Sequence, residues 1–99
     1  MKRSREVIIA DILEICCSGA SKTRIVYQAN LNFHTVIPYL DLLIKKGMII
    51  RTENNSIIFN TTSNGIKLLN NLRLIQDELH GIDDLDQEDS IKEPALIGL

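Results

Sequence analysis

The stretch Met48-Ile49-Ile50-Arg51-Thr52-Glu53-Asn54-Asn55-Ser56-Ile57-Ile58-Phe59-Asn60 decides how the rest of the chain is read. Two short runs rich in β-branched residues, 48–52 and 57–60, flank a polar, Asn-rich segment at 53–56. That pattern predicts a β-hairpin. On both sides of it the apolar residues recur at helical spacing instead. The hairpin therefore sits between helices, and the order of elements around it defines the fold.

Upstream, residues 4–17 read as a helix. Ile8, Ile12, Ile15 and Cys16 form its stripe, widened by Ile9 and Leu13, and Gly19 ends it. Ser21 is a candidate N-cap for a second helix over 22–29, with Ile25, Val26 and Ala29 facing inward. Asn30-Leu31-Asn32 makes a short turn. Asn32 can cap a third helix that runs to about Lys46, with an apolar set of Phe33, Val36, Ile37, Leu40, Leu43 and Ile44. Pro38 lies inside that span. Either the regular helix begins later, with Thr35 as N-cap and Pro38 in the first turn, or it is kinked at Pro38. Gly47 closes it.

Downstream of the hairpin, Thr62 caps a last helix over 63–80, and Gly81 is expected to stop it. Leu68, Leu72, Ile75, Leu79 and Ile82 step by four, three, four and three, which is the seam of a coiled coil. Ile66 and Leu69 lie to one side and can pack on the body of the domain, and Leu74 widens the stripe. One helix then carries enough apolar surface for two contacts, which predicts a homodimer joined through Leu68, Leu72, Ile75, Leu79 and Ile82.

Three helices, a two-stranded wing and a long helix make an α+β, mostly α architecture: a winged helix-turn-helix with a C-terminal dimerisation helix. The expected divisions are 1–61 for the winged domain, 62–81 for the dimerisation helix, and 82–99 for an acidic, disordered tail whose apolar end could dock elsewhere.

Three blocks of residues carry a resemblance. Lys22-Thr23-Arg24-Ile25-Val26-Tyr27-Gln28-Ala29-Asn30-Leu31-Asn32, then Tyr39-Leu40-Asp41-Leu42-Leu43-Ile44-Lys45-Lys46-Gly47-Met48-Ile49, then Thr62-Ser63-Asn64-Gly65-Ile66-Lys67-Leu68-Leu69 resemble, in order and spacing, blocks of a family of small archaeal winged-helix proteins. The resemblance covers about residues 4–80. It implies a family of transcriptional regulators and chromatin-type DNA-binding proteins that dimerise through an antiparallel coiled coil of the last helix. The acidic tail and modest positive charge depart from the chromatin-coating members.

The charge distribution bears on the same point. The 99 residues carry a net charge of −2, which taken as a global average argues against nucleic acid. Residues 1–80 hold ten of the eleven Lys and Arg and seven of the thirteen Asp and Glu, a balance of +3. Residues 81–99 set Lys92 against Asp83, Asp84, Asp86, Glu88, Asp89 and Glu93, a balance of −5. A mildly basic body with an acidic tail fits selective contact with double-stranded DNA.

In a helix-turn-helix the third helix enters the major groove by its N-terminal residues. Here those are Asn32, His34 and Thr35. Asn pairs with adenine and Thr meets a thymine methyl, while His34 reaches a base or a phosphate, or is simply solvated. Lys22, Thr23 and Arg24 open the second helix, where free N–H groups and the helix dipole favour phosphate. Arg24 could instead pair with a carboxylate. Arg51, Asn54 and Asn55 are the wing's candidates, with Glu53 working against them. Lys2, Arg3 and Arg5 make a short basic arm that could add phosphate contacts. Lys45 and Lys46 end the third helix and complement its dipole.

Other functions lack the residues they need. The sequence holds no Gly-rich phosphate loop, no nucleophile with a paired base and no metal-ligand spacing, so no enzyme, cofactor or metal is expected. Asp83, Asp84 and Asp86 lack the glycine and closing Glu of a calcium loop. Cys16 and Cys17, the only cysteines, are expected to stay reduced. Asp11 and Glu14 interrupt the apolar run after the basic N-terminus, and no run is long enough to span a bilayer, so a cytoplasmic, nucleoid-associated location is expected. The alternative function is a winged-helix module that binds protein, suggested by the near-neutral charge and apolar C-terminal residues.

Overall fold

Capping residues set most of the boundaries in the computed structural model, which describes residues 3–89, with side chains through residue 82. Helix α1 spans Arg5–Ile15, and Ser4 Oγ accepts a hydrogen bond from the Val7 N–H. A single 3₁₀ turn, Cys16–Ser18, leads to Gly19, whose φ of 86° suits a residue with no β-carbon. Helix α2 spans Lys22–Ala29, with Ser21 as N-cap and Asn30 in the left-handed conformation at its end. Helix α3 spans Phe33–Lys45, with Asn32 as its N-cap. Strands β1, Ile49–Glu53, and β2, Ile57–Thr61, form the antiparallel wing, with Arg51 opposite Phe59 and Thr52 opposite Ile58. Helix α4 spans Ser63–Asp89, and Thr62 Oγ1 accepts from the Gly65 N–H while donating to the Gly47 carbonyl.

The two readings of Pro38 resolve in favour of Asn32. Its Oδ1 accepts from the Thr35 N–H at 2.9 Å, so Thr35 is inside the first turn and is not the cap. Pro38 is then a true interior residue, unable to donate to the His34 carbonyl. At the other end Gly47, at φ 78°, completes a Schellman turn: the Gly47 N–H bonds the Ile44 carbonyl and the Met48 N–H bonds the Leu43 carbonyl.

The core gathers one face from each element. Ile8, Ile12, Leu13 and Cys16 of the first helical segment meet Ile25, then Val36, Leu40 and Leu43, then Ile49 and Phe59, and finally Leu69. The wing is tied in by a rung absent from the sequence pattern: Ala20 and Phe59 exchange both backbone hydrogen bonds, at 3.0 and 2.9 Å. The first turn of α4 runs so close to the chain entering β1 that a β-carbon on Gly65 would lie 2.2 Å from the Met48 carbonyl oxygen.

Three expectations need correction. Gly81 does not stop the last helix, which continues to Asp89. A glycine in a helix interior costs only about 1 kcal/mol relative to alanine, and Gly81 does not take the positive φ that makes a C-terminal glycine a stop. The expected tail 82–99 therefore begins as helix, and residues 90–99, with the apolar end expected to dock, lie outside the described residues. Phe33 and Ile37, placed with the core by spacing, are exposed, as is Ile66. Arg3 is not a free arm: its guanidinium pairs with Asp11 at 2.9 Å and donates to the Ala29 and Asn30 carbonyls, capping the end of α2. Lys2 lies outside the described residues.

Candidate nucleic-acid interface

The N-terminus of α2 is the first component. Ser21 Oγ accepts from the Arg24 N–H, which leaves the N–H groups of Lys22 and Thr23 without an intrahelical acceptor. Both side chains are exposed. Arg24 turns elsewhere. It lines a cleft with Asp11, Glu14, Gln28 and Arg73, on the side of α2 that faces α1 and α4. Arg73 closes that cleft by pairing with Glu14 and, at 3.4 Å, with Asp11. The hydrogen bond to Glu14 pushes the Arg73 guanidinium above its already high ordinary value, so it stays charged.

Helix α3 is the second. Val36, Leu40 and Leu43 anchor it in the core. Phe33, His34, Ile37, Pro38 and Asp41 form one contiguous exposed strip along it, at i, i+1, i+4, i+5 and i+8. Asn32 is committed to the cap through Oδ1, so only its Nδ2 remains for a base, and Thr35 is half-buried. Of the three residues singled out at this end by sequence, His34 alone presents its whole side chain outward without another task.

The wing is the third. Arg51 stands on the β1 face that looks toward α3, where it shares a small cleft of 60 Å³ with Lys22 of α2 and Ile37, Asp41 and Ile44 of α3. Residues of α2, α3 and β1 thus converge on one surface. Arg51 is held by Glu53 at 3.0 Å, an exposed pair that a phosphate can displace at little cost. Asn54 and Asn55 are exposed at the tip. Among the described residues Lys22, Lys45 and Lys46 have no carboxylate partner.

Sequence spacing missed two features of this surface. Tyr27 is 87% exposed on α2, one turn from Thr23, and its aromatic character had suggested no role. The apolar part of the α3 strip was hidden because i, i+3, i+4 spacing does not say how wide the buried stripe is.

The exposed face of α4 lies beyond the body. Leu69 is buried and Leu68 and Leu72 are half-buried, whereas Ile75, Leu79 and Ile82 are 54%, 55% and 56% exposed. Ile75 and Leu79 border a groove shared with Ser4, Glu6 and Val7 of the α1 start. Within it the Gln76 Nε2 is buried without a hydrogen-bond acceptor, while its Oε1 accepts from Arg73 at 3.0 Å.

Residues 2–80 match the winged helix-turn-helix family. The chain belongs to that family. A relative of archaeal origin, the uncharacterized protein MJ0287 of Methanocaldococcus jannaschii, is 40% identical over 72 residues, covering 72% of this chain and 71% of its own. Among solved structures, Sso10a-2, a DNA-binding protein from Sulfolobus solfataricus, superposes with a TM-score of 0.76 at 26% identity, covering 92% of this chain and all of its own (100%). A MarR-family transcriptional regulator from Rhodococcus sp. RHA1 gives a TM-score of 0.70 at 18% identity over 88% of this chain and 63% of its own. CouR from Rhodococcus jostii RHA1, bound to p-coumaroyl-CoA, gives 0.66 at 17% identity, covering 92% of this winged helix-turn-helix chain and 76% of its own. The last two likenesses concern the fold alone. No helix among the described residues is long and apolar enough to cross a membrane.

Proposed function

We propose that this protein is a homodimeric winged-helix transcriptional regulator that binds double-stranded DNA, with α3 in the major groove. The observation that carries the reading is the convergence of the α2 start, the exposed strip of α3 and the wing on one surface, through Lys22, Asp41 and Arg51. On that surface Lys22 and Thr23, with the open N–H groups of α2, take a phosphate; Tyr27 adds a hydroxyl of the kind that commonly meets the backbone. Arg51, Asn54 and Asn55 reach the flanking strand. His34 and the free Nδ2 of Asn32 address base edges, with Thr35 contributing what its half-buried side chain leaves accessible. Arg24 is turned to the α1–α4 side and its backbone N–H is held by Ser21, so it stands outside this set.

The same reading makes α4 the dimerisation element. Leu68 and Leu72 complete the seam at the body, and Ile75, Leu79 and Ile82 pack against the mate. The winged domain and the α4 face that ends at Ile82 then act as reader and spacer. Sso10a-2, the DNA-binding protein among the structural neighbours, supports the DNA-binding part, since its whole length aligns with this chain. The proposed location is the cytoplasm, on the nucleoid.

The test is fluorescence anisotropy of labelled duplex against the full chain and its Lys22→Ala variant over a range of salt. Loss of Lys22 removes one phosphate contact per subunit, so the log K against log salt slope should become shallower by about 2 for a dimer. An unchanged slope at unchanged thermal stability would remove the α2 start from the interface.

A further inference from the structure

The exposed strip of α3 has an unusual composition for a helix that enters a groove. Between Phe33 and Ile44 it contains no Lys or Arg, so its first turns lack the side chains that most often read guanine. In their place stand Phe33, 44% exposed, Ile37, 37% exposed, and Pro38, also exposed. Helix α3 already buries Val36, Leu40 and Leu43, so these three are not the margin of an incomplete core. Pro38 also carries a cost at this position, because an interior proline forgoes a backbone hydrogen bond.

We infer that α3 reads thymine, with Phe33, Ile37 and Pro38 packing on the C5-methyl groups that line the major groove. The inference rests on the DNA-binding reading above and names what that surface selects. The thymine methyl is the one apolar group a base pair offers in the major groove, and apolar side chains are its partners. Phosphate contacts at Lys22 and Arg51 hold the register, and the apolar strip supplies the discrimination between T-rich and G-rich sites. The nearby cations are confined to the flanks of the strip, at Lys22, Arg51 and Lys45, where backbone rather than bases would pass.

The experiment compares a T-rich duplex with the same duplex carrying dU for every dT, which removes the methyls and keeps the pairing. Burying one methyl is worth about fourfold in affinity, so a site with several contacts should bind the dU duplex roughly tenfold or more weakly at matched salt. The Phe33→Ala, Ile37→Ala double variant, at positions 44% and 37% exposed, should stay folded with a lowered melting temperature and, compared below that temperature, bind the two duplexes nearly equally. Salt-dependent binding with equal affinity for both duplexes in the parent would overturn the methyl reading and leave DNA binding standing. Discrimination that survives in the double variant would also overturn it. No binding to either duplex at low salt would overturn both.

Discussion

A β-carbon at Gly65 has nowhere to go, because the Met48 carbonyl oxygen lies 2.2 Å from its position and Thr61 Cγ2 lies 2.6 Å away. The first of these atoms is backbone and cannot rotate aside. Gly65→Ala should destabilise the fold by about 1–3 kcal/mol, read from urea unfolding. Asn32 supports a sharper test because it holds two possible jobs. Asn32→Asp keeps the acceptor that caps α3 and loses the amide donor. It should keep the melting temperature and weaken binding to DNA, whereas Asn32→Ala should cost about 1 kcal/mol of stability. The cysteines differ by location. Burial, with a smaller effect from Cys17, pushes the Cys16 thiol up to about 12, while Cys17 is exposed. A thiol reagent at pH 8 should therefore titrate one cysteine in the native chain and both after denaturation. Because the folded thiol is the weaker acid, the stability tied to Cys16 is whole below about 9, its ordinary value, and is lost as pH rises toward 12. Ser21 and Thr62 were legible as caps because a short polar side chain before an apolar period has few other uses. Arg3 was not, since its carbonyl partners Ala29 and Asn30 are brought to it only by the folded chain.

At the level of elements, Pro38 makes α3 two pieces in energetic terms. The His34 carbonyl lacks its usual donor, and Val36 on one side of the proline and Leu40 on the other are both buried in the core. Pro38→Ala restores that donor and should raise the urea midpoint, by up to about 3 kcal/mol in stability, with little change in slope. Helix identity and order were readable from apolar period, capping and the Gly47 stop. Three element-scale facts were not. The width of a buried stripe is set by the neighbours, so Phe33 and Ile37 read as core and are exposed. A glycine signals a helix end only if the chain turns there, and α4 continues through Gly81 to Asp89. The Ala20–Phe59 rung is a single pair across 39 positions of sequence and leaves no periodic trace.

For the whole molecule, α4 is 27 residues long, about 40 Å, and Leu68, Leu69 and Leu72 in its first part pack on its own domain. The proposed seam predicts that Ile75→Glu with Leu79→Glu turns a dimer into a folded monomer in sedimentation, with the melting curve of the winged domain retained. A dimer that persists would place the interface elsewhere. The net charge of −2 conceals a +3 body over residues 1–80, and that body presents Lys22, Arg51 and Lys45 around the surface on which α2, α3 and the wing converge. The central claim is that this surface binds duplex DNA through its backbone charges, twice per dimer. The most direct measurement is the equilibrium affinity of the full chain for duplex DNA as a function of salt. Three cations per subunit predict a log K against log salt slope of about −5, and a slope near zero, or no binding at low salt, would contradict the account.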